Sequence, residues 1–264
     1  MDLELGGKHV FIAGASRGIG FGMAEAFSRE GAKVTLTGRG EESLDAARQA
    51  LIDKGVPEGQ LCTVAGDMTS SADLVAALDA AEERLGPLHC AVANVGLGRA
   101  PLGFDVSDAD WEADFQQNLF GSVYLAREAV RRFLKRPPDE RKDANIITIS
   151  SIAGVESLGT SLTYGASKAG VNHFTTALAK LVGKEGIRVN AIAPGNIIFP
   201  GGNWQKRVDE RPDAWGRWIK REVALGRFGQ VNEIADAALF LASPRASFVT
   251  GEVFVVDGGQ VNRA

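Results

Sequence analysis

A chain of 264 residues, 45% hydrophobic and 23% charged, has the length and apolar content for one large α/β domain with a substantial core. Twenty-nine basic against thirty-three acidic residues leave a net charge of −4, which argues against any general attraction to nucleic acid. No apolar run approaches the roughly 18 residues of a membrane span, and Met1-Asp2-Leu3-Glu4-Leu5 lacks the basic start and long apolar stretch of a secretory signal, so a cytoplasmic protein is expected.

Short apolar runs alternate with amphipathic stretches from end to end. The first run, 8–13, predicts a strand, and Gly14-Ala15-Ser16-Arg17-Gly18-Ile19-Gly20 follows it and opens a helix over 18–30. Glycines there let the backbone turn sharply and approach a pyrophosphate, whose charge a helix N-terminus stabilises. In this strand–turn–helix setting Gly14, Ser16, Arg17, Gly18, Ile19 and Gly20 are candidate nucleotide-binding residues. The same loop fits Gly-x-Ser-x-Gly, the nucleophile elbow of hydrolases, with Ser16 attacking. That alternative needs a downstream acid and then a histidine, and His173, the last of His9, His89 and His173, lies inside a helical pattern. The second strand, 33–37, runs into Gly38-Arg39. An NAD-selective site usually places an acid near this point. Here Gly38 leaves room, Arg39 offers a bidentate cation for a 2′-phosphate, and Arg17 adds a second positive charge. NADP(H) is therefore the expected cofactor, with NAD(H) as the alternative.

The pattern continues with a helix over 41–54, a strand over 61–65 and a helix over 70–85 opened by the capping residues Ser70, Ser71 and Asp73. Strands follow at 88–93, 145–149, 188–192 and 252–256, separated by helices near 107–135, 162–182 and 230–242. Near-continuous apolar strands between helices imply a parallel sheet buried on both faces. The expected fold is α/β: a single Rossmann-like, doubly wound domain, 1–264, of about seven parallel strands with helices on both faces. One segment, 199–227, breaks the rhythm; as an insertion beyond a strand's carboxyl end it is a candidate substrate lid. Cys62 and Cys90 lie in strand-like runs and are expected as buried, reduced thiols. No metal site is expected.

Tyr164 and Lys168 stand one helical turn apart on one face. A phenol titrates near about 10, and a neighbouring ammonium favours its ionised form, bringing it toward use as an acid or base.

Taken together these motifs resemble the short-chain dehydrogenase/reductase family over essentially the whole chain. The resemblance is carried by the glycine loop, Asp67 after the third strand, Asn94-Val95-Gly96 after the fourth, and Asn118 on the next helix. It continues through Ser151 thirteen residues before Tyr164, Lys168, Pro194-Gly195, and the terminal Val256-Asp257-Gly258-Gly259. It implies that Tyr164 is the acid/base, that Lys168 lowers its pKa and binds the nicotinamide ribose, that Ser151 polarises the substrate oxygen, and that Asn118 holds a water linking Lys168 to solvent. It also implies that Asp67, with Met68 beside it, meets the adenine, that Asn94 and Gly96 support the adenosine side, and that Pro194, Gly195 and Ile197 orient the nicotinamide. Three positions depart from the family pattern: Ala13 replaces a threonine, Val95 an alanine, and Phe199 the threonine of Pro-Gly-x-x-x-Thr.

The candidate lid holds Trp204, Trp215 and Trp218, which with Phe199 are expected to line a pocket for a bulky apolar group; packing of the lid onto the body is the alternative. A hydrophobic, cyclic or aryl-bearing secondary alcohol or ketone is the expected small-molecule substrate. A 3-oxoacyl thioester reductase is an alternative, counted against because Glu185 is acidic where a carrier-recognising basic residue is expected. A catalytically silent nucleotide sensor is a third reading, disfavoured by retention of Ser151, Tyr164, Lys168 and Asn118 together. The family resemblance further implies a homotetramer.

Overall fold

Residue alternation along the strands builds the architecture. In the computed structural model, which describes residues 2–97 and 100–262, Val10 and Ile12 enter one hydrophobic core while Phe11 and Ala13 enter another on the opposite face of the sheet. This is the period of two that a strand imposes. In chain order the elements are β1 (His9–Ala13), α1 (Gly18–Arg29), β2 (Lys33–Gly38), α2 (Glu41–Asp53), β3 (Leu61–Ala65), α3 (Ser71–Leu85), β4 (Leu88–Ala93) and α4 (Asp108–Phe115). They continue with α5 (Gly121–Leu134), β5 (Asn145–Ile149), α6 (Leu162–Val182), β6 (Arg188–Pro194), β7 (Ile197–Ile198), α7 (Asn203–Glu210), α8 (Pro212–Glu222), β8 (Gly229–Gln230), α9 (Val231–Ala242) and β9 (Val253–Val256).

Seven strands form one parallel sheet in the order β3-β2-β1-β4-β5-β6-β9. Helices α1, α2 and α9 bury Phe27, Leu51 and Ile234 on one face; α3, α5 and α6 bury Leu78, Phe133 and Val182 on the other. The strand order reverses between β1 and β4, and a crevice opens beyond their carboxyl ends, where ligands of such sheets bind. The expected α/β domain with seven parallel strands is what the chain forms.

Two local features depart from the sequence expectation. The stretch 107–135 is not one regular helix: α4 and α5 are joined by a five-residue π-helical turn, Gln116–Phe120. Segment 199–227 carries α7 and α8, and its base is closed by a pair of two-residue strands, with Ile197 opposite Gly229 and Ile198 opposite Gln230. Elsewhere local chemistry behaves as written: the Ser70 hydroxyl caps α3 by accepting from Asp73 N at 3.3 Å. Cys62 and Cys90 are buried and unpaired, and burial pushes the Cys90 thiol up to about 12.

Candidate active site

Crowding explains the glycine loop. A methyl added at Gly20 would lie 2.0 Å from the Gly14 carbonyl oxygen, so α1 approaches the end of β1 as closely as backbone allows. The hydroxyl missing at Ala13 is supplied by the next strand: Thr37 Oγ1 donates to Ile12 O (3.1 Å) and accepts from Gly14 N (3.3 Å). Asn94 Nδ2 donates to Gly14 O at 2.7 Å, which ties the end of β4 to the loop. Asn94 thus braces the cradle from behind.

A cleft of about 500 Å³ runs from this loop across the carboxyl ends of the sheet. All but one of the residues predicted for the cofactor line it: Gly14, Ser16, Arg17, Gly18 and Ile19; Arg39; Asp67 and Met68; Asn94 and Gly96; Pro194, Gly195 and Ile197; and Tyr164 with Lys168. Gly20 is the exception, since it acts by packing beneath the loop. Asp67 is fixed by Thr69, whose N and Oγ1 both donate to Asp67 Oδ1 (3.0 and 2.8 Å). Arg17 and Arg39 flank the end that Gly38 leaves open, and neither forms an ion pair among the described residues. No histidine lines the cleft, which removes the hydrolase reading of Ser16.

At the far end α6 presents Tyr164 and Lys168 beside Ser151, which follows β5. Lys168 Nζ donates to Ile149 O at 2.8 Å and lies 5.9 Å from the centre of the Tyr164 ring. A methyl at Gly96 would lie 2.8 Å from that Nζ and 3.0 Å from Asn118 Oδ1, so the glycine makes room for both. Asn118 is fully buried in the π-helical turn. Its Nδ2 donates to Leu97 O (3.1 Å) and Asp114 O (2.9 Å), and its Oδ1 accepts from Leu97 N (2.7 Å), leaving one lone pair free. Single-turn π-bulges of this kind gather at functional sites.

The electrostatics correct one expectation. Burial pushes the Tyr164 phenol above its ordinary value; hydrogen bonding with Ser151 pulls it back, and the Asp114 charge raises it further. Desolvation rather than Lys168 sets the direction, and burial lowers that amine as well, to about 8. Spacing revealed the neighbouring cation but not the desolvation, which is the larger effect on both groups.

Of the four aromatic residues expected around a substrate, Phe199 and Trp204 line the cleft, but Trp215 and Trp218 do not. Trp218 stacks on Trp204 and Trp215 meets it edge-on, each with ring centres 5.3 Å away, and Arg207 lies over the Trp204 ring at 4.9 Å, so the cluster holds α7 against α8. The Phe199 ring packs on Gly18, where an added methyl would lie 2.7 Å from it; it faces the glycine loop. Lys206, Gln117 and Leu97 also line the cleft and carried no motif to announce them. Glu185, read from sequence as an entrance residue, instead lies just before β6, at the opposite end of the strands from the cleft, and pairs with Arg141 at 2.5 Å. Its charge therefore does not weigh against a carrier-bound substrate.

The family model described as Enoyl-(Acyl carrier protein) reductase matches residues 14–260. The chain is 38% identical to the 3-oxoacyl-[acyl-carrier-protein] reductase FabG of Chlamydia muridarum, across 98% of this chain and 99% of that protein. It is 33% identical to the gluconate 5-dehydrogenase of Gluconobacter oxydans, across 97% and 95%. Among solved structures it is similar to a 7 alpha-hydroxysteroid dehydrogenase complexed with NADH and 7-oxo glycochenodeoxycholic acid (TM-score 0.87, 31% identity, 99% and 97% covered). A similar match is an NADPH-bound short chain oxidoreductase from Pseudomonas aeruginosa PAO1 (TM-score 0.87, 28% identity, 97% and 98% covered).

Proposed function

Because the chain belongs to the short-chain dehydrogenase/reductase family and is an oxidoreductase, we propose that it interconverts a secondary alcohol and a ketone with NADP(H) as the hydride partner. The observation that carries this reading is that Ser151, Tyr164 and Lys168 line the same cleft as the glycine loop, with Asn118 packed behind Gly96. The nicotinamide supplies or accepts the hydride; the protein supplies orientation and proton. The cleft fits such a group: close-packed glycines, backbone N–H groups at the start of α1, and a buried amine with donors to spare beyond Ile149 O.

In this reading Ser151 hydrogen-bonds the substrate oxygen, Tyr164 gives it a proton during reduction or takes one during oxidation, and Lys168 holds the ribose hydroxyls. Asn118 fixes the segment around Leu97 and offers its remaining lone pair to a water on the way to solvent. Preference for NADP(H) over NAD(H) rests on Arg17, Gly38 and Arg39 at the adenosine end, where Arg39 rather than an acid follows β2. Phe199 and Trp204 favour a hydrophobic, ring-bearing substrate. A homotetramer is consistent with exposed Phe254 on the edge strand β9 and exposed Leu181 and Phe248. No helix among the described residues is long and apolar enough to cross a membrane, in keeping with the cytoplasmic setting proposed.

A 3-oxoacyl thioester reductase is the second reading, favoured by the similarity to proteins of that name. The test is NADPH oxidation with a panel of cyclic and aryl ketones, short linear ketones and a β-ketoacyl thioester. Turnover of the cyclic set, lost about 10²- to 10⁴-fold in Tyr164→Phe with NADPH binding retained, is expected. Unchanged turnover in Tyr164→Phe removes it as the acid/base, and saturation by the thioester at low concentration replaces the substrate assignment.

A further inference from the structure

Asp114 brings a carboxylate to a place where the proposed chemistry uses none. It lies in the last turn of α4, is 4% exposed, and forms no ion pair among the described residues. Burying a charge without a partner is costly unless hydrogen bonds offset it, and here the carboxylate makes one and the main chain of the same residue another. Asp114 Oδ2 accepts from Thr163 Oγ1 at 2.5 Å, and Thr163, fully buried, directly precedes Tyr164. The Asp114 main-chain oxygen accepts from Asn118 Nδ2 at 2.9 Å. One residue thus touches both the helix bearing Tyr164 and Lys168 and the turn bearing Asn118.

We propose that Asp114, acting through Thr163, is a positioning residue that keeps the Tyr164 phenol protonated and so suits the site to donating a proton to a carbonyl. This rests on the hydride-transfer reading above. During reduction the phenol O–H breaks as the substrate O–H forms, the C=O π pair takes up that proton, and the reduced nicotinamide delivers a hydride to the carbon. The phenolate left behind recovers its proton from solvent. A fixed negative charge nearby makes that phenolate harder to form prematurely. The reaction equilibrium is unchanged; the pH range in which each direction runs fastest moves.

Among the described residues the other charges bearing on the phenol are few. Lys168 lies one turn along the same helix, while the π-helical turn Gln116–Phe120 and the turn Ile152–Gly154 contain no ionisable side chain. Glu156, beyond that turn, accepts from Asn262 N, and Arg17 and Lys206 line the same cleft. Burial and the Asp114 charge both push the phenol up.

The chain has two tyrosines, so a Tyr124→Phe background leaves Tyr164 as the one phenol to titrate. In that background, with NADP⁺ bound, Asp114→Asn should lower the pH midpoint of tyrosinate absorbance by about one unit, the usual scale of such perturbations. The acid limb of kcat for alcohol oxidation should move with it, while Asp114→Glu retains the parental midpoint. Thr163→Val provides a second route: without its hydroxyl donor the carboxylate is no longer held against this helix, and the midpoint again falls. A midpoint that stays with the parent in the folded Asp114→Asn or Thr163→Val protein, whatever happens to kcat, overturns the proposal. The titration requires no substrate, so absence of turnover would count against the hydride-transfer reading alone.

Discussion

Lys168 is a buried amine, and replacing it should separate stability from activity. It is 3% exposed, and burial lowers its pKa from 10.5 to about 8. An unfolded chain carries the ordinary lysine, so between those values it binds more protons than the folded one, and stability rises with pH through that window. Below about pH 8 the folded state bears the full cost of a desolvated ammonium, roughly 2.5 pH units at about 1.36 kcal/mol each, or about 3 kcal/mol. Lys168→Met removes that cost and leaves Ile149 O without its donor, a loss of about 1 kcal/mol. The variant should therefore be about 2 kcal/mol more stable than the wild type at pH 7 by equilibrium urea unfolding, yet inactive with any ketone. By pH 10 the remaining cost in the wild type is only about 1 kcal/mol, and the advantage should vanish. A variant less stable at pH 7, or a gap that does not change between pH 7 and pH 10, would refute the assignment of strain to this amine.

Arg39→Ala should weaken NADPH binding about 10- to 100-fold in a fluorescence titration while leaving NADH unchanged, since a lost charge-assisted bond is worth about 1.5–3 kcal/mol; equal losses for both cofactors would reject the 2′-phosphate contact. His9, 1% exposed between Gly86 O and Thr35 Oγ1, is held by burial at a pKa of about 4. Its depressed folded value means the stability it contributes is complete above about pH 6.5 and is lost progressively toward pH 4, about 3 kcal/mol at most. The stability gap between wild type and His9→Gln should narrow across that window in urea unfolding, and a constant gap would clear His9.

What was legible in the sequence was what local rules decide. Apolar runs bounded by turns gave seven strands, because burial on both faces demands them. The glycine loop was visible because the closest approach at Gly20 is to Gly14, six residues earlier, although Asn94 also crowds it from a distant strand end. What escaped depends on distant packing. The β7–β8 pair is too short to carry a period, and exists because the two ends of segment 199–227 meet. Asp114 reads as one more polar residue on a helix until the fold turns it inward against Thr163. Glu185 stands near motif residues in the chain yet at the opposite end of the strands in space. The tryptophans were countable, but which of them face the cleft depends on how α7 folds over α8. For Tyr164 the neighbouring amine could be read from spacing, whereas desolvation, which decides its direction, requires the folded surroundings.

The π-helical turn between α4 and α5 has a further consequence, for the length of this chain. An α-helix advances about 100° per residue, so the wider turn at Gln116–Phe120 sets the angular phase between Asp114 before it and the inward stripe of Leu125, Ala129 and Phe133 after it. Excising a single residue there would let a regular helix re-form, but it would swing either Asn118 or the Phe133 stripe out of place. Side chains along this rod can be exchanged one at a time; its residue count cannot be trimmed.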